Sequence, residues 1–287
     1  MTRKIFKIGF FFLFLYSLPA IADEQNQINL VDVDLQLVLA VDVSQSVDPA
    51  EGVLQRQGYI KALLDSDVIN IIKSGRFGRI ALSYTEWAGP LDQWLVVDWQ
   101  IIDGELSALE FVKKLSAAPI RTGQRTSISY GILHAITLFR KSGFRSERKV
   151  IDVSGDGANN AGFYVHEARN RAVDDGITIN GLAIMNGKPS PLGIPATKNI
   201  DNYYEDCVVA GPGAFIVVAE NLSSFSSAVR RKMILEIAGL MPRYRALHSS
   251  SINNGIALSG FSYQPSDCMV GEKEFETFRK KNLLKKD

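Results

Sequence analysis

Five oxygen-bearing side chains stand in three short segments with loop character. The first segment runs from Asp42 through Ser44 to Ser46 and places one acid and two hydroxyls at alternate positions. Thr126 lies in a second segment and Asp156 in a third. Carboxylate, hydroxyl and water oxygens are the ligands that hard divalent cations such as magnesium prefer. If the fold brings the three segments together, these side chains predict a cation site that keeps water and leaves one position for an outside ligand.

The sequence offers less for nucleophilic, zinc or nucleotide chemistry. Its histidines, at 134, 166 and 248, are scattered and form no HExxH pair, and neither cysteine has CxxC spacing. A Gly-Pro-Gly segment at 211–213 lacks the third glycine of a dinucleotide fingerprint, and no GKS or GKT loop occurs. We therefore predict a binding protein rather than an enzyme. A metal-dependent hydrolase of phosphate or ester bonds and a metal-free structural module of an envelope assembly are the alternatives.

The elements that must position these residues alternate between strand and helix. Residues 35–41 are almost all apolar, which is typical of a strand covered on both faces. Asp48, Pro49 and Glu51 then form a helix-start signal, and apolar spacing continues that helix to near Gly75.

Downstream, residues 79–84 and 91–99 predict two strands joined by a turn, which would put an antiparallel edge on the sheet. Further helices are predicted at 106–115, 128–139, 165–173 and 222–238, and further strands at 149–154, 177–184 and 214–218. This alternation predicts an α/β fold: a doubly wound, mostly parallel sheet with one antiparallel edge strand and helices on both faces. Residues 187–204, rich in Pro, Gly and Asn, predict a long surface excursion.

In their order along the chain, the five site residues resemble the metal-ion-dependent adhesion site of von Willebrand factor A domains. The resemblance extends over about residues 33–239, and the segments 152–157 and 206–215 are more narrowly similar to a bacterial group of exported von Willebrand A-like proteins of unknown function. It implies the Rossmann-like sheet described above. One departure is that many such domains have Thr-Asp-Gly at the third position, where this sequence has Ser154-Gly155-Asp156-Gly157.

The resemblance also implies a role for each site residue. Ser44 and Ser46 would bind the metal through their hydroxyls, and Thr126 would do so directly or through water. Asp42 and Asp156 would hold bound waters and balance the charge. The resemblance implies magnesium as the usual ion, with a carboxylate from a partner protein completing its octahedron, and for this chain we expect magnesium or manganese. The alternative is that Asp42 and Asp156 only cap turns and helices.

The first 22 residues have the order of a secretory signal peptide. Three basic residues come first, an apolar run of 11 residues follows at 8–18, and Pro19 precedes Ala20-Ile21-Ala22. That run is shorter than the roughly 20 residues a membrane-spanning helix needs. We predict cleavage after Ala22 and an exported, periplasmic or secreted protein with no membrane span left. The expected division is a signal peptide at 1–22, a von Willebrand A-like domain at 23–240 and a carboxyl-terminal appendage at 241–287.

Export affects how the cysteines and the charge are interpreted. In an oxidising compartment a disulfide between Cys207 and Cys268 is favoured over two free thiols. The 287 residues include 32 basic and 31 acidic ones, and cleavage would leave 29 and 31, a net charge of −2. Without a basic field, a nucleic-acid partner is disfavoured. The expected partner is another envelope or extracellular protein that presents an acidic residue.

Three further polar residues have open roles. Asp152 lies inside an apolar strand, where a carboxylate needs a partner or a raised pKa, and a structural hydrogen bond is favoured over a role beside the metal. Asn159 and Asn160 either line the rim of the site or only shape the turn that follows Asp156.

Overall fold

The computed structural model describes residues 30–189, 193, 196–240 and 264–283. The predicted signal peptide at 1–22 lies outside the described residues, and so does most of the first half of the predicted appendage. Within these described ranges, no helix has both the length and the apolar character needed to cross a bilayer.

A mostly parallel sheet forms the centre of the fold. In the part of the chain that the structure describes, the strands are β1 (Val31–Asp32), β2 (Gln36–Asp42), β3 (Ile80–Trp87), β4 (Gln93–Ile102), β5 (Phe144–Arg145), β6 (Lys149–Gly155), β7 (Thr178–Ile184) and β8 (Ile216–Ala219). Strands β1 and β5 form a short parallel pair, and the other six form one sheet in the order β4-β3-β2-β6-β7-β8. Only the β3–β4 pair of this sheet is antiparallel. The predicted antiparallel edge is therefore confirmed.

Helices cover both faces of the six-stranded sheet. Their bounds are α1 (Pro49–Leu63), α2 (Ser66–Lys73), α3 (Glu105–Ala117), α4 (Ile128–Phe139), α5 (Val165–Asp174), α6 (Ile200–Tyr203), α7 (Leu222–Ala238) and α8 (Val270–Leu283). Apolar residues of α1, α2, α3 and α7 share one buried cluster with the sheet, and those of α4, α5 and α6 share a second cluster. This two-sided arrangement confirms the doubly wound α/β fold.

Strand β2 lies in the middle of the sheet, and all seven of its residues are buried. Leu37, Leu39 and Val41 belong to one apolar cluster, whereas Val38 and Ala40 belong to the other. Successive side chains of a strand point to opposite faces, so a strand covered by helices on both sides must be apolar throughout. The continuous apolar run in the sequence reflects this central position.

The predicted start of α1 is confirmed by a reciprocal cap. The Asp48 side chain accepts a hydrogen bond of 2.9 Å from the Glu51 N–H, and the Glu51 side chain accepts one of 3.0 Å from the Asp48 N–H. The prediction of one helix reaching Gly75 is wrong, because α1 ends at Leu63. Asp65 then caps a second helix, α2, by accepting hydrogen bonds from N–H groups of its first turn.

Within 187–204, the described residues 187–189, 193, 198 and 199 are exposed, as expected of a surface excursion. The last residues of this segment form α6, which continues directly into a π-helical turn at Tyr204–Val208. Ile200, Tyr203 and Tyr204 are buried in the cluster beneath α4 and α5. The prediction is wrong for this end of the segment, because two aromatic residues gain more from burial than the local polar composition indicates.

Helix α8 belongs to the predicted appendage, and it contacts the domain. The predicted disulfide is confirmed: Cys207 of the π-helical turn is bonded to Cys268, just before α8 begins. Gly271 of α8 lies so close to the loop after β6 that a Cβ there would overlap the Asn159 carbonyl oxygen. The helix is thus fixed against the loop that follows Asp156.

A buried ionic cluster joins α7 to the sheet. Lys232 Nζ lies 2.7 Å from Asp152 Oδ1 and also pairs with Glu236, and all three side chains are at most 1% exposed. Asn180 of β7 donates a hydrogen bond of 3.0 Å to Glu236. Asp152 therefore has the structural partner favoured by its place in an apolar strand.

Candidate metal site

The first site segment is the turn that leaves the central strand. Asp42 is the last residue of β2 and is fully buried. The Ser44 N–H donates a hydrogen bond of 2.7 Å to Asp42 Oδ1, and the hydroxyls of Ser44 and Ser46 lie 3.1 Å apart. The turn therefore gathers the carboxylate and both hydroxyls into one small region at the carboxyl end of β2.

Backbone hydrogen bonds hold the second segment beside this turn. The Gly123 N–H donates to the Val43 carbonyl at 2.9 Å, and the Ser127 N–H donates to the Ala88 carbonyl at 2.7 Å. Both acceptors lie just beyond the ends of neighbouring parallel strands. Thr126, which precedes Ser127 and the start of α4, is therefore held at the same sheet edge as Asp42.

The third segment closes the group. Ser46 Oγ donates a hydrogen bond of 2.6 Å to Asp156 Oδ1, and Asn186 Nδ2 donates to Asp156 Oδ2. The Asn160 N–H donates to the Thr126 carbonyl at 2.8 Å, and the Thr126 N–H donates back to Asn160 Oδ1 at 3.0 Å. All five residues predicted from the sequence are thus brought to one place, which is the carboxyl edge where open parallel sheets bind ligands.

Three asparagines support this group of loops. Asn160 both shapes the turn and faces the cleft, whereas Asn159 is fully buried and accepts a 3.0 Å hydrogen bond from the Ser129 N–H. Sequence reasoning missed Asn186. The sequence did contain a signal for this residue. Asn186 is a polar residue two positions after β7, and it therefore follows another parallel strand at the same edge of the sheet.

A family model described as "Protein of unknown function (DUF1194)" matches residues 32–241. The chain belongs to this family. A search of curated proteins found no match for it.

Three of the solved structures that are similar to this DUF1194 chain are longer than the part that it matches. Proximal thread matrix protein 1 from the mussel byssus is 13% identical, with a TM-score of 0.53 over 73% of this chain and 49% of that one. A structure of the same mussel protein "with zinc occupied MIDAS motif" is 15% identical, with a TM-score of 0.50 over 73% and 49%. The pilus adhesin SpaC from Lactobacillus rhamnosus GG is 13% identical, with a TM-score of 0.53 over 73% and 31%. The DUF1194 chain thus spans half or less of each, and the likeness establishes a von Willebrand A-like fold, as predicted.

Two buried carboxylates face each other in the DUF1194 site. Burial, followed by the charge of Asp156, raises the pKa of Asp42 well above its ordinary value, and burial raises the pKa of Asp156 as well. Asp42 Oδ2 is buried and has no hydrogen-bond partner among the described residues. Burying two neighbouring carboxylates raises the free energy of the folded state unless a positive charge compensates them. Its oxygens, together with the hydroxyls, fit a hard divalent cation.

The donor set consists of three hydroxyls and two carboxylates. In the described part of the chain, no group of three or more His, Cys, Asp or Glu side chains is placed to hold a metal ion. The fit therefore depends on Ser44, Ser46 and Thr126 together with the two aspartates.

The packing around Gly155 explains why this sequence has glycine where many von Willebrand A domains have the threonine of Thr-Asp-Gly. A Cβ at this position would lie 2.5 Å from the Tyr204 hydroxyl and 2.9 Å from Asp42 Oδ2. Both contacts are shorter than side-chain carbons tolerate, so a residue larger than glycine would displace Tyr204 or the site carboxylate. The buried tyrosine of the π-helical turn thus takes the space that a threonine side chain would need.

The site opens into a small cleft of about 60 Å³ that is continuous with solvent. Its lining residues are Gln45, Ser46, Arg125, Thr126, Asp156, Gly157, Ala158, Asn160, Lys188, Ala196, Thr197, Gly271 and Glu274. Two of them, Gly271 and Glu274, belong to α8 in the predicted appendage. Sequence reasoning missed both. A signal existed in the helical spacing of residues 271, 274, 275 and 278, which indicates one inward face.

Proposed function

We propose that this DUF1194 protein is an exported von Willebrand A-like domain that binds one divalent cation, magnesium or manganese, and through it a partner protein. The proposed ligands are Asp42, Ser44, Ser46, Thr126 and Asp156. The observation that carries the proposal is the hydrogen bond from Ser46 to Asp156, beside an Asp42 oxygen that has no partner among the described residues.

The donor types determine what the bound ion would offer a partner. The three hydroxyls are neutral, and the two aspartates would act mainly through bound water. The ion would therefore keep much of its positive charge on the side that faces the cleft. A bound cation of this kind supplies a strong, directional attraction for a carboxylate. Recognition through one acidic side chain follows from this chemistry.

The partner would be attracted locally rather than by the whole surface. The mature chain would carry a net charge of −2, so no general positive field draws an acidic protein towards it. Contacts around the cleft rim would add specificity to the single charged contact. We expect the partner to be another envelope or extracellular protein with one exposed Asp or Glu.

Calorimetry with Mg²⁺ and Mn²⁺ tests the cation site. Wild-type protein should bind one ion, and Asp42→Ala should bind none. Asp103→Ala, at an exposed aspartate before α3, is the matched control and should bind like wild type. Equal affinity in wild type and Asp42→Ala would overturn the assignment.

A capture experiment from envelope extract tests the partner. Binding should disappear with EDTA, return with Mg²⁺, and be lost when the partner's acidic residue is replaced by its amide. Partner binding that survives both chelation and Thr126→Ala would favour the metal-free structural module. Hydrolytic activity that is lost with Asp42→Ala would favour the metal-dependent hydrolase instead.

The proposal includes export, with the signal peptide at 1–22, the domain at 23–240 and the appendage at 241–287. The disulfide between Cys207 and Cys268 supports it, because such bonds persist mainly in oxidising compartments. Amino-terminal sequencing of the protein released from the cell envelope should begin at Asp23. Met1 retained in a membrane fraction would overturn it.

A further inference from the structure

We infer that Phe275 of α8 positions Thr126 by holding Arg125, so that the carboxyl-terminal helix controls how tightly the site binds its cation. The inference rests on the proposed cation site, because it names the residues that support one of that site's ligands. Phe275 lies beyond residue 241, where the match to the family model ends. A segment outside the matched residues thus regulates the site.

The backbone at Arg125 is the first observation. Its φ is +71°, in the left-handed region that residues other than glycine rarely occupy. Such a conformation raises the energy of the backbone and persists only where surrounding contacts hold it. Thr126 follows directly and lines the cleft together with Ser46 and Asp156. Contacts that hold Arg125 in this conformation therefore also set the direction from which the Thr126 hydroxyl meets the site.

Asn160 provides the first of these contacts. Arg125 Nε donates a hydrogen bond of 3.0 Å to Asn160 Oδ1, and a second guanidinium nitrogen donates to the Asn160 carbonyl. The same Asn160 Oδ1 accepts a hydrogen bond of 3.0 Å from the Thr126 N–H. One amide oxygen thus joins the Arg125 side chain to the Thr126 backbone, so a displaced guanidinium would disturb both.

The ring of Phe275 provides the second contact. Arg125 Cζ lies 3.2 Å from the centroid of the Phe275 ring. A guanidinium is attracted to the face of an aromatic ring, and its planar shape lets it stack there. The ring and Asn160 together restrict the Arg125 side chain. An aliphatic residue at 275 would keep apolar volume but would lose the attraction to the cation.

Other contacts dock α8 independently of Phe275. The disulfide anchors the chain just before the helix, and the Asn159 side chain donates to Glu272 Oε1 at 2.8 Å. Gly271 contacts the Asn159 carbonyl so closely that no side chain would fit there. Asn159 directly precedes Asn160, so the helix is fixed to the turn that binds the guanidinium. Substitution of Phe275 should therefore leave the helix in place.

A double-mutant cycle measured by Mn²⁺ calorimetry tests the inference. Phe275→Leu should weaken Mn²⁺ binding by about fivefold, because leucine has no ring face. Arg125→Gly should weaken it by about tenfold, because glycine adopts the left-handed backbone freely but has no guanidinium to fix it. In the Arg125→Gly background, Phe275→Leu should have no further effect, since both residues act through one contact.

Two further variants separate this contact from general packing. Phe275→Tyr keeps the ring face and should bind Mn²⁺ like wild type. Phe278→Leu, three residues further along α8, is the matched control for lost aromatic surface and should also bind like wild type. Amide hydrogen exchange at residues 122–127 should be faster in Phe275→Leu than in wild type, with exchange in β2 unchanged. Unchanged far-UV circular dichroism spectra would show that the variants fold.

The outcomes separate this inference from the proposed function. If wild type binds Mn²⁺ and Asp42→Ala does not, but Phe275→Leu matches wild type, only the inference is overturned. Equal losses in Phe275→Leu and Phe278→Leu, or additive losses in the cycle, also overturn it, since they would indicate a general loosening of α8. If wild type binds no Mn²⁺, both the site and its support by α8 are overturned.

Discussion

Ser46 Oγ donates a hydrogen bond of 2.6 Å to Asp156 Oδ1, although 110 residues separate the two in the sequence. The residues come from loops that follow β2 and β6, which are adjacent parallel strands of the sheet. Parallel pairing aligns the carboxyl ends of neighbouring strands, so polar residues placed just after each strand meet. The bond thus follows from the strand order.

Ser46→Ala should weaken Mg²⁺ binding by roughly tenfold or more, because it removes both a proposed ligand and the donor that orients Asp156. It should also lower the free energy of unfolding by about 1–3 kcal/mol, because Asp156 loses a buried partner. Calorimetry and chemical denaturation measure the two effects. Ser227→Ala, at an exposed hydroxyl of α7, should change neither. Unchanged Mg²⁺ affinity in Ser46→Ala would remove this residue from the site.

Gly155→Ala should lower the free energy of unfolding by about 1–3 kcal/mol, because its methyl group would overlap the Tyr204 hydroxyl and Asp42 Oδ2. Mg²⁺ affinity should fall as well, since the Asp42 carboxylate is one of the two groups that the methyl group would displace. Gly157→Ala is the matched control two residues along. Its Cβ would lie 3.7 Å from Thr126, an ordinary contact distance, so its stability should stay within about 0.5 kcal/mol. Equal stabilities of the two variants, measured by denaturation, would contradict the packing described for Gly155.

Cys268→Ser should lower the free energy of unfolding by about 4 kcal/mol on the chain-entropy model, because the disulfide closes a long loop with a sequence separation of 61 residues. Amide hydrogen exchange should become faster in α8 than in the central strands, since the helix loses its covalent anchor. Reduction of wild type should reproduce both effects, and reductant should leave Cys268→Ser unchanged. Slow exchange in α8 after reduction would show that non-covalent contacts suffice to hold it.

Glu236→Gln should change how stability depends on pH. Burial, followed by the charge of Asp152, raises the pKa of Glu236 to about 7 from an ordinary value of 4.5. Protonation of Glu236 leaves one cation and one carboxylate in the buried cluster of Lys232, Asp152 and Glu236. A raised carboxyl pKa contributes stability that is present below about pH 4.5 and is lost as the pH rises through about 7.

Between pH 5 and pH 8, wild type should therefore lose on the order of 1–3 kcal/mol of unfolding free energy relative to Glu236→Gln. The glutamine keeps an oxygen that can accept from Lys232 and Asn180, so the variant should fold. Glu110→Gln, at an exposed residue of α3, should show no such difference. The prediction would be contradicted if the difference in unfolding free energy between wild type and Glu236→Gln were the same at pH 5 and at pH 8.

Local sequence patterns were sufficient to predict those strands and helix starts that depend only on residues close together in the chain. The apolar run of β2 predicted a central strand because a strand covered on both faces has no polar side. Asp48 and Glu51 predicted the start of α1 because a cap involves residues only three apart. The same patterns failed to predict that the helix breaks at Leu63, where apolar spacing continues but Asp65 begins a new helix.

The sequence by itself determined the order of the six strands of the main sheet and of most helices that cover it, the five polar residues in loops, and the pairing of its two cysteines. Only the tertiary structure decided that Tyr204 is buried against Gly155, that Asn186 supports Asp156, and that α8 brings Glu274 to the cleft. The physical reason is that periodicity and caps report whether a residue is buried and how its own segment folds. Which distant segments meet depends on how the whole chain packs around the sheet, and no local pattern encodes that path.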